Sequence, residues 1–408
     1  MHTNSLPLNL IVIISFLFAF FLMAAATPRL LIVGAGISGA TTAALLRTTL
    51  SSSELSITVW DKSRGAGGRM STSRSSTDAR MHVDLGAQYI TVDAGGGNAL
   101  DAQSPFHYDN LLRQNLLIEL TGNIENTRDG HDSKLHYAAP RGISSLVKHF
   151  IGDTHVEYNR RVSSIDKTHS AWKVTDTEKN IEQFDAVVLS IPAAQALGIG
   201  GNVRHFLNND FHGKKLNGVQ FSSRWALGIY YPFNAWPAIE QAPWVARYVR
   251  KDEDDALVWL SLESKKRGFL EGSEGGPGPV VVAHCGVPWS LKHSGDTREE
   301  ILNQLLPKIG KFLPKLTEDG VMPVGTKLIH WKYSQVRPGT EVGAGFEAES
   351  FSALNVDTEE NGPLLIVAGD SIAGSNFENC VRSGKEAAEM VNRWLSSRHH
   401  SDVASSSL

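Results

Sequence analysis

Gly34-Ala35-Gly36-Ile37-Ser38-Gly39 spells G-x-G-x-x-G between a short apolar run from Arg29 and a stretch, Ile37 to Thr48, with alanines and leucines at helical spacing. The first glycine permits a tight turn from strand to helix, the second lets a pyrophosphate approach the backbone, and the third lets the helix pack on the sheet. The chemistry is anion capture, because backbone N–H groups and the positive end of the helix dipole face the phosphates. Asp61 lies 22 residues beyond Gly39, at the end of the run Ser56 to Asp61, where an acid accepts hydrogen bonds from a ribose. A glycine turn with no ligand is the plain alternative, but strand, helix and acid in register favour a dinucleotide. Gly67-Gly68-Arg69 follows, with glycines that clear space and an arginine able to pair with phosphates. Taken alone, that segment reads equally as a solvated loop.

These residues need a βαβ unit to hold them, and the opening of the chain has its pattern. Further strands are expected at His155 to Tyr158, Arg161 to Asp166, Trp172 to Thr175 and Phe184 to Ile191, the last stopped by Pro192. The texture then changes. Arg224 to Tyr231, Trp244 to Arg250, Leu257 to Glu263 and Val280 to Val287 are long β-rich runs, and Thr297 to Leu313 has amphipathic helical spacing. They predict a mostly antiparallel sheet backed by helix, as a second module. Leu364 to Gly369 is again a continuous apolar run, followed by a helix from about Asn379 to Ser396, which returns the chain to its first domain. The expected class is α/β, a Rossmann-like domain with a second α+β domain. The first is assembled from 28–91, 135–192 and 327–398, the second from 92–134 and 193–326, with 399–408 as a solvated tail.

Composition narrows the partners. With 39 Lys and Arg against 43 Asp and Glu over 408 residues the net charge is −4, so no broad basic surface for nucleic acid is expected. Cys285 and Cys380 are the two cysteines; neither lies in a C-x-x-C, which argues against a zinc site or redox dithiol. There is also no G-x-S-x-G and no His-Glu-x-x-His. Residues 1–26 stand apart: Leu10 to Met23 is apolar save Ser15, and Ala24-Ala25-Ala26 has the small residues of a cleavage site. A secretory signal peptide and an extracellular location are expected. The segment lacks Lys or Arg before Leu10, and 17 largely apolar residues reach the lower edge of a membrane span, so an uncleaved anchor is the rival reading.

The run Leu30 to Thr91, with Val59-Trp60-Asp61-Lys62, Gly67-Gly68-Arg69-Met70 and Asp84-Leu-Gly-Ala-Gln-Tyr-Ile-Thr91, resembles the renalases of the flavin amine oxidase superfamily. The likeness continues through Ala139-Pro-Arg-Gly-Ile-Ser-Ser145, Ser222-Ser-Arg-Trp-Ala-Leu-Gly228, Trp331 with Ser334-Gln-Val336, and Gly369-Asp370 with Ser375-Asn-Phe377. It implies noncovalent FAD on a flavin amine oxidase or p-hydroxybenzoate hydroxylase-like fold. Ser38, Arg69, Gln88 and Tyr89 stand at matching contact positions, Val162 on the adenine side and Asp370 at the ribityl chain. It also implies the reaction: 1,2- and 1,6-dihydro isomers of NAD(P)H lose hydride to flavin, and oxygen is reduced to hydrogen peroxide. A dihydropyridine is already a strong hydride donor, so positioning does most of what such chemistry needs.

Tyr89, Trp331 and Gln335 are the candidates for the wall facing the substrate ring, against the alternative that Trp and Tyr simply pack in strands. Arg224 could meet a substrate phosphate, although solvated sheet-edge arginines are commoner. His284 and Cys285 fall in an apolar strand and read as core, and Cys380 reads as buried packing beside the flavin. Two other functions fit the same chain: an oxidase of small amines, and a secreted flavoprotein that binds without turnover.

Overall fold

The computed structural model describes residues 27–93, 107–127, 134–208, 210–268, 276–344, 353–356 and 362–406. The N-terminal segment 1–26, read above as a signal peptide or anchor, lies outside them. Arg29–Val33, apolar on both faces, is the centre of a six-stranded sheet and is covered on both sides. It pairs in parallel with Ser56–Trp60 and Ala186–Leu189; His155–Glu157 and Leu364–Ala368 extend the sheet in parallel, and Ala353–Asn355 closes one edge antiparallel. Alternation along the central strand sends Leu30 and Ile32 toward the helices Ile37–Thr49, Ser144–Ile151 and Phe377–Ser406. Leu31 and Val33 point the other way, toward Trp172 and Val174 of the three-stranded meander Val162–Lys167, Trp172–Asp176 and Ile181–Phe184.

The run expected as one strand from Phe184 to Ile191 is broken at Asp185. Its Oδ2 accepts from the Arg29 backbone N–H at 2.8 Å, and the chain passes there from the meander into the parallel sheet. The final helix runs Phe377–Ser406, into the residues expected as a tail; Arg398 reaches Asp185 at 3.6 Å and lies 4.9 Å from the Trp394 ring centroid, which docks this end.

The second sheet has the strand order Gly325–Trp331, Arg224–Tyr230, Val280–Cys285, Leu257–Leu262, Ala246–Tyr248 and Ile124–Glu125, antiparallel except for the last pair. One face packs Leu227, Ile229, Leu260 and Ala283 against Ile301, Leu305 and Ile309 of the helix Arg298–Phe312, whose start is set by a Thr297/Glu300 capping box. The other face, with Ala226, Trp259 and Val282, packs on Val83 of the hairpin Thr72–Arg74/His82–Asp84 and on Leu85 just after it. The sheet is therefore a roof held over the dinucleotide domain by its own apolar face. Gly325–Trp331 belongs to this roof, so the return expected at 327 comes after Trp331. Conversely Ala193, Ala196, Val203 and Leu207 pack with Val187 and Leu189, and Leu111, Leu116 and Leu117 with Leu30 and Ile32. Segments expected wholly in the second module thus complete the first core as well.

Among the described residues no helix is long and apolar enough to cross a membrane, and no cluster of His, Cys, Asp and Glu has metal-ligand arrangement.

Candidate functional site

The three glycines of the turn differ in what surrounds them. Gly34 has φ +111°, which a side chain would strain. A Cβ on Gly39 would lie 2.3 Å from the Gly34 carbonyl oxygen, so only glycine lets the helix approach here. A Cβ on Gly36 would meet nothing within 4 Å, and this residue caps its helix without a side-chain acceptor, leaving open space in front of uncapped N–H groups. A pyrophosphate fits that space. Asp61, 9% exposed, is held from behind: its Oδ2 accepts from Ala35 N–H and its Oδ1 from Ser63 N–H, both at 2.7 Å. The Gly67 N–H donates to Ala35 O at 2.9 Å, and Gly68, at φ +54°, sits against Gly36, so this loop forms the other lip of the cradle. Ser38 and Val162 line the same cavity.

Arg69 does something other than face phosphates. Its Nη1 and Nη2 donate to Asp370 Oδ2 and Oδ1 at 2.5 and 2.8 Å, a fork joining positions 301 apart in sequence. Ser375 Oγ donates to the same Asp370 Oδ2 at 2.6 Å. Burial works against the guanidinium charge, but Asp370 outweighs it and holds the Arg69 pKa above its ordinary value.

Overhead, strand register assembles a row that spacing alone could not. Ile329, Ala226, His284, Trp259 and Tyr248 are direct cross-strand partners on five neighbouring strands, all facing the cavity. His284 was expected in the core. Its neighbour Cys285 is indeed fully buried among the helix-side residues, and alternation therefore turns His284 to the opposite, cavity-facing side. Burial, then the charges of Arg224 and Lys266, push the His284 pKa down to about 3, so the ring is neutral at ordinary pH. Tyr89 rises to meet this row: its hydroxyl is 2.6 Å from that of Tyr248, and its ring lies 5.6 Å from Trp259. Trp331 donates from Nε1 to Leu85 O at 2.8 Å and stands opposite Arg224. Gln335 is exposed at the cavity edge, and its carbonyl oxygen accepts from Ser222 N–H at 2.8 Å. Tyr248 and Trp259 were not singled out in advance; their position on alternating strands was the available signal, but it does not reveal which face is the roof.

Gln88 is locked rather than free to reach a ligand through its amide. Its Nε2 donates to Asp84 O and, at 3.1 Å, to Gly86 O, while its Oε1 accepts from Trp259 Nε1 at 3.2 Å and Lys266 Nζ at 3.5 Å. Lys266 belongs to a buried quartet. Arg267 Nη2 donates to Asp84 Oδ2 at 2.8 Å and Glu263 Oε2 at 2.7 Å, and Lys266 Nζ lies 2.5 Å from Glu263 Oε1 and 3.9 Å from Asp84 Oδ2. Two charges of each sign thus join the roof to the hairpin beneath it.

The turn at Gly34 and Gly36, the loop Gly67 to Arg69, Asp370, Gln88, Tyr89 and the row of the roof line one continuous cavity of about 1950 Å³, with the quartet behind its wall. That is roughly twice the upper end of an ordinary small-molecule pocket, ~300–1,000 Å³. Its charged lining is lopsided: Lys62, Arg64, Arg160 and Arg161 surround the Asp61 end, Arg224, Lys327 and Lys332 lie among the roof-side residues, and Lys134 comes from the neighbouring strand Lys134–Ala138. With Arg69 and Lys148 there are, among the described residues, ten cationic side chains in the lining against the carboxylates of Asp61, Asp370 and Glu378, although Arg160 is itself paired with Glu157, Asp176 and Glu182.

Comparison with known proteins agrees with this architecture. A family described as NAD(P)-binding Rossmann-like domain matches residues 32–100, and one described as flavin containing amine oxidoreductase matches residues 114–392. Renalase of Mus musculus is 31% identical over 369 residues, covering 90% of this chain and 99% of that protein. Among solved structures, a protoporphyrinogen oxidase candidate from Exiguobacterium sp. 255-15 superposes with a TM-score of 0.59 at 14% identity, covering 89% of this chain and 98% of that one. A cofactor-binding redesign of putrescine oxidase gives 0.59 at 13% identity, covering 90% and 100%. At such identities the structural likeness speaks for the fold.

Proposed function

The chain belongs to the renalase-like flavin amine oxidoreductases, with FAD as cofactor, and from that premise we propose that it oxidises the 1,2- and 1,6-dihydro isomers of NAD(P)H to NAD(P)+, with oxygen reduced to hydrogen peroxide. FAD, when bound, supplies the hydride acceptor and the route to oxygen. The chain supplies the rest. Gly36 and the helix behind it would hold the pyrophosphate, Asp61 the adenosine ribose, and Asp370, braced by Arg69 and Ser375, the ribityl chain. Tyr89, Tyr248, Trp259 and Trp331 would confine a flat ring beneath the roof and exclude water. His284, neutral, stores no proton that such a reaction would need.

The observation that carries the reading is the charge of the cavity. Among the described residues ten cations line the cavity against three carboxylates; Arg69 is met by Asp370, and Arg160 by Glu157, Asp176 and Glu182 from behind, and the excess of cations that the lining keeps lies in a chain whose net charge is −4. A positive, low-dielectric cleft concentrates anionic ligands and repels protonated amines. The aromatic wall would also suit an amine, so charge is the discriminating feature between the two substrate classes. A cavity this large also leaves room for a second dinucleotide beside the cofactor.

The test is anaerobic mixing of the FAD-loaded protein with separated dihydronicotinamide isomers and, in parallel, with small amines, following loss of the oxidised flavin band. Bleaching by the 1,2- or 1,6-dihydro isomers, with peroxide formed on admitting air, is the expected result. Bleaching by amines alone would replace the substrate class, and a flavin inert to both would leave a binding protein.

A further inference from the structure

The cofactor's phosphates have a cradle in the dinucleotide domain, so cations on the roof answer to something else. Arg224 opens the strand Arg224–Tyr230 and stands directly opposite Trp331 in the antiparallel pair with Gly325–Trp331. Direct partners place their Cβ atoms within about 4.5–5.5 Å, so guanidinium and indole share one patch of the cavity wall. Lys332 follows Trp331 into the cavity lining, where the chain turns with Lys332 N–H donating to His330 O at 3.1 Å.

The patch is built to hold its shape. Trp331 is pinned through Nε1 to Leu85 O at 2.8 Å, and Arg224 Nη1 donates to Cys285 O at 3.3 Å. The adjacent rung, Trp225 opposite His330, stacks its rings on the other face of the sheet at 4.3 Å and 13°, and His330 Nε2 lies 2.8 Å from Ser223 Oγ. Both strands are thus clamped from behind at the position where Arg224 and Trp331 face the cavity. A guanidinium offers five donors in a planar fork that suits phosphate oxygens.

The geometry points to an anion subsite for the substrate itself: Arg224, with Lys332 beside it, grips the phosphate attached to the nicotinamide ribose, while Trp331 borders the ring. This rests on the substrate class proposed above and adds a specificity rule. A dihydronicotinamide must carry a 5′-phosphate to be used well.

Three substrates of one dihydro form test it: the riboside with no phosphate, the mononucleotide with one, and the dinucleotide. kcat/KM is measured for each in the wild type, Arg224→Gln, Arg224→Lys and Lys332→Gln, each first shown to hold FAD by its spectrum. The wild type should prefer mononucleotide to riboside, and Arg224→Gln should cut that ratio by roughly tenfold or more, the size of a lost charge-assisted hydrogen bond. Arg224→Lys should keep part of the ratio and Lys332→Gln should lower it less. Should Arg224→Gln fail to load FAD, the other two variants carry the comparison. If all three substrates lose the same factor, so that the ratio stays put, Arg224 is structural and the subsite is wrong while the substrate class stands. If no member of the series bleaches the wild-type flavin, the substrate class falls and the subsite with it.

Discussion

Replacing Arg267 with methionine removes the guanidinium from the buried quartet at similar side-chain length. Arg267 is 5% exposed and donates to His82 O and Asp84 Oδ2 at 2.8 Å and to Glu263 Oε2 at 2.7 Å. Without it Asp84 and Glu263, 1% and 0% exposed, share the single charge of Lys266. Removing one partner of a buried ion pair costs ~3–5 kcal/mol, because a charge is left without compensation. At ~2–4 °C per kcal/mol for a unit of ~150–250 residues, the holoprotein's Tm should fall by roughly 6–20 °C. The pH dependence identifies the cause. In the wild type burial pushes the Asp84 pKa up, but Arg267 and Lys266, helped by Thr72 and the Ile143 N–H, outweigh it and hold the value below normal. That carboxylate therefore stabilises the fold above the unfolded pKa of about 3.9, and the contribution is lost as pH falls through the lower folded value. In the variant burial should win, raising the folded pKa above the unfolded one, so protonation now relieves the surplus charge. The gap in Tm between wild type and variant should narrow as pH is lowered from 8 to 5, and Glu263→Gln in the variant should restore part of the loss. A gap that is constant with pH and unmoved by Glu263→Gln would refute the electrostatic account and leave only lost packing.

The glycine turn separates folding from binding: in Gly36→Ala the added Cβ meets no neighbouring atom within 4 Å, so this variant should melt normally as apoprotein while binding FAD more weakly, whereas Gly39→Ala places a methyl 2.3 Å from Gly34 O. The latter should cost ~1–3 kcal/mol with or without cofactor, and apoprotein melts with FAD titrations check both; the reverse pattern would sink the assignment of roles. The two free thiols should be inert in the folded protein, because burial pushes Cys285 up and burial, then Asp370, pushes Cys380 up to about 12. A thiol reagent at pH 8 should label two cysteines promptly after unfolding and neither before it; Cys380, expected as buried packing, is half-buried and lines the cavity, so its rapid labelling in the holoprotein would show that its raised pKa does not protect it.

Local chemistry was legible without coordinates. The G-x-G-x-x-G turn, Asp61, the apolar central strand and the helix beginning at its capping box are each specified by residues a few positions apart, through backbone angles, hydrogen-bond reach and side-chain periodicity. The late return of Leu364–Ala368 to the first sheet was readable too, since an unbroken apolar strand requires cover on both faces. Other features depend on which strands lie side by side. The Arg69–Asp370 fork, the five-strand row from Ile329 to Tyr248 and the meeting of Asp84 with Glu263 join positions tens to hundreds of residues apart. His284 shows the boundary most clearly: alternation guarantees that it and Cys285 face opposite ways, yet only the packing of the helix Arg298–Phe312 on one side of the sheet makes the other side the roof of the site. Periodicity decides that a strand has two faces, and tertiary packing decides what each face meets.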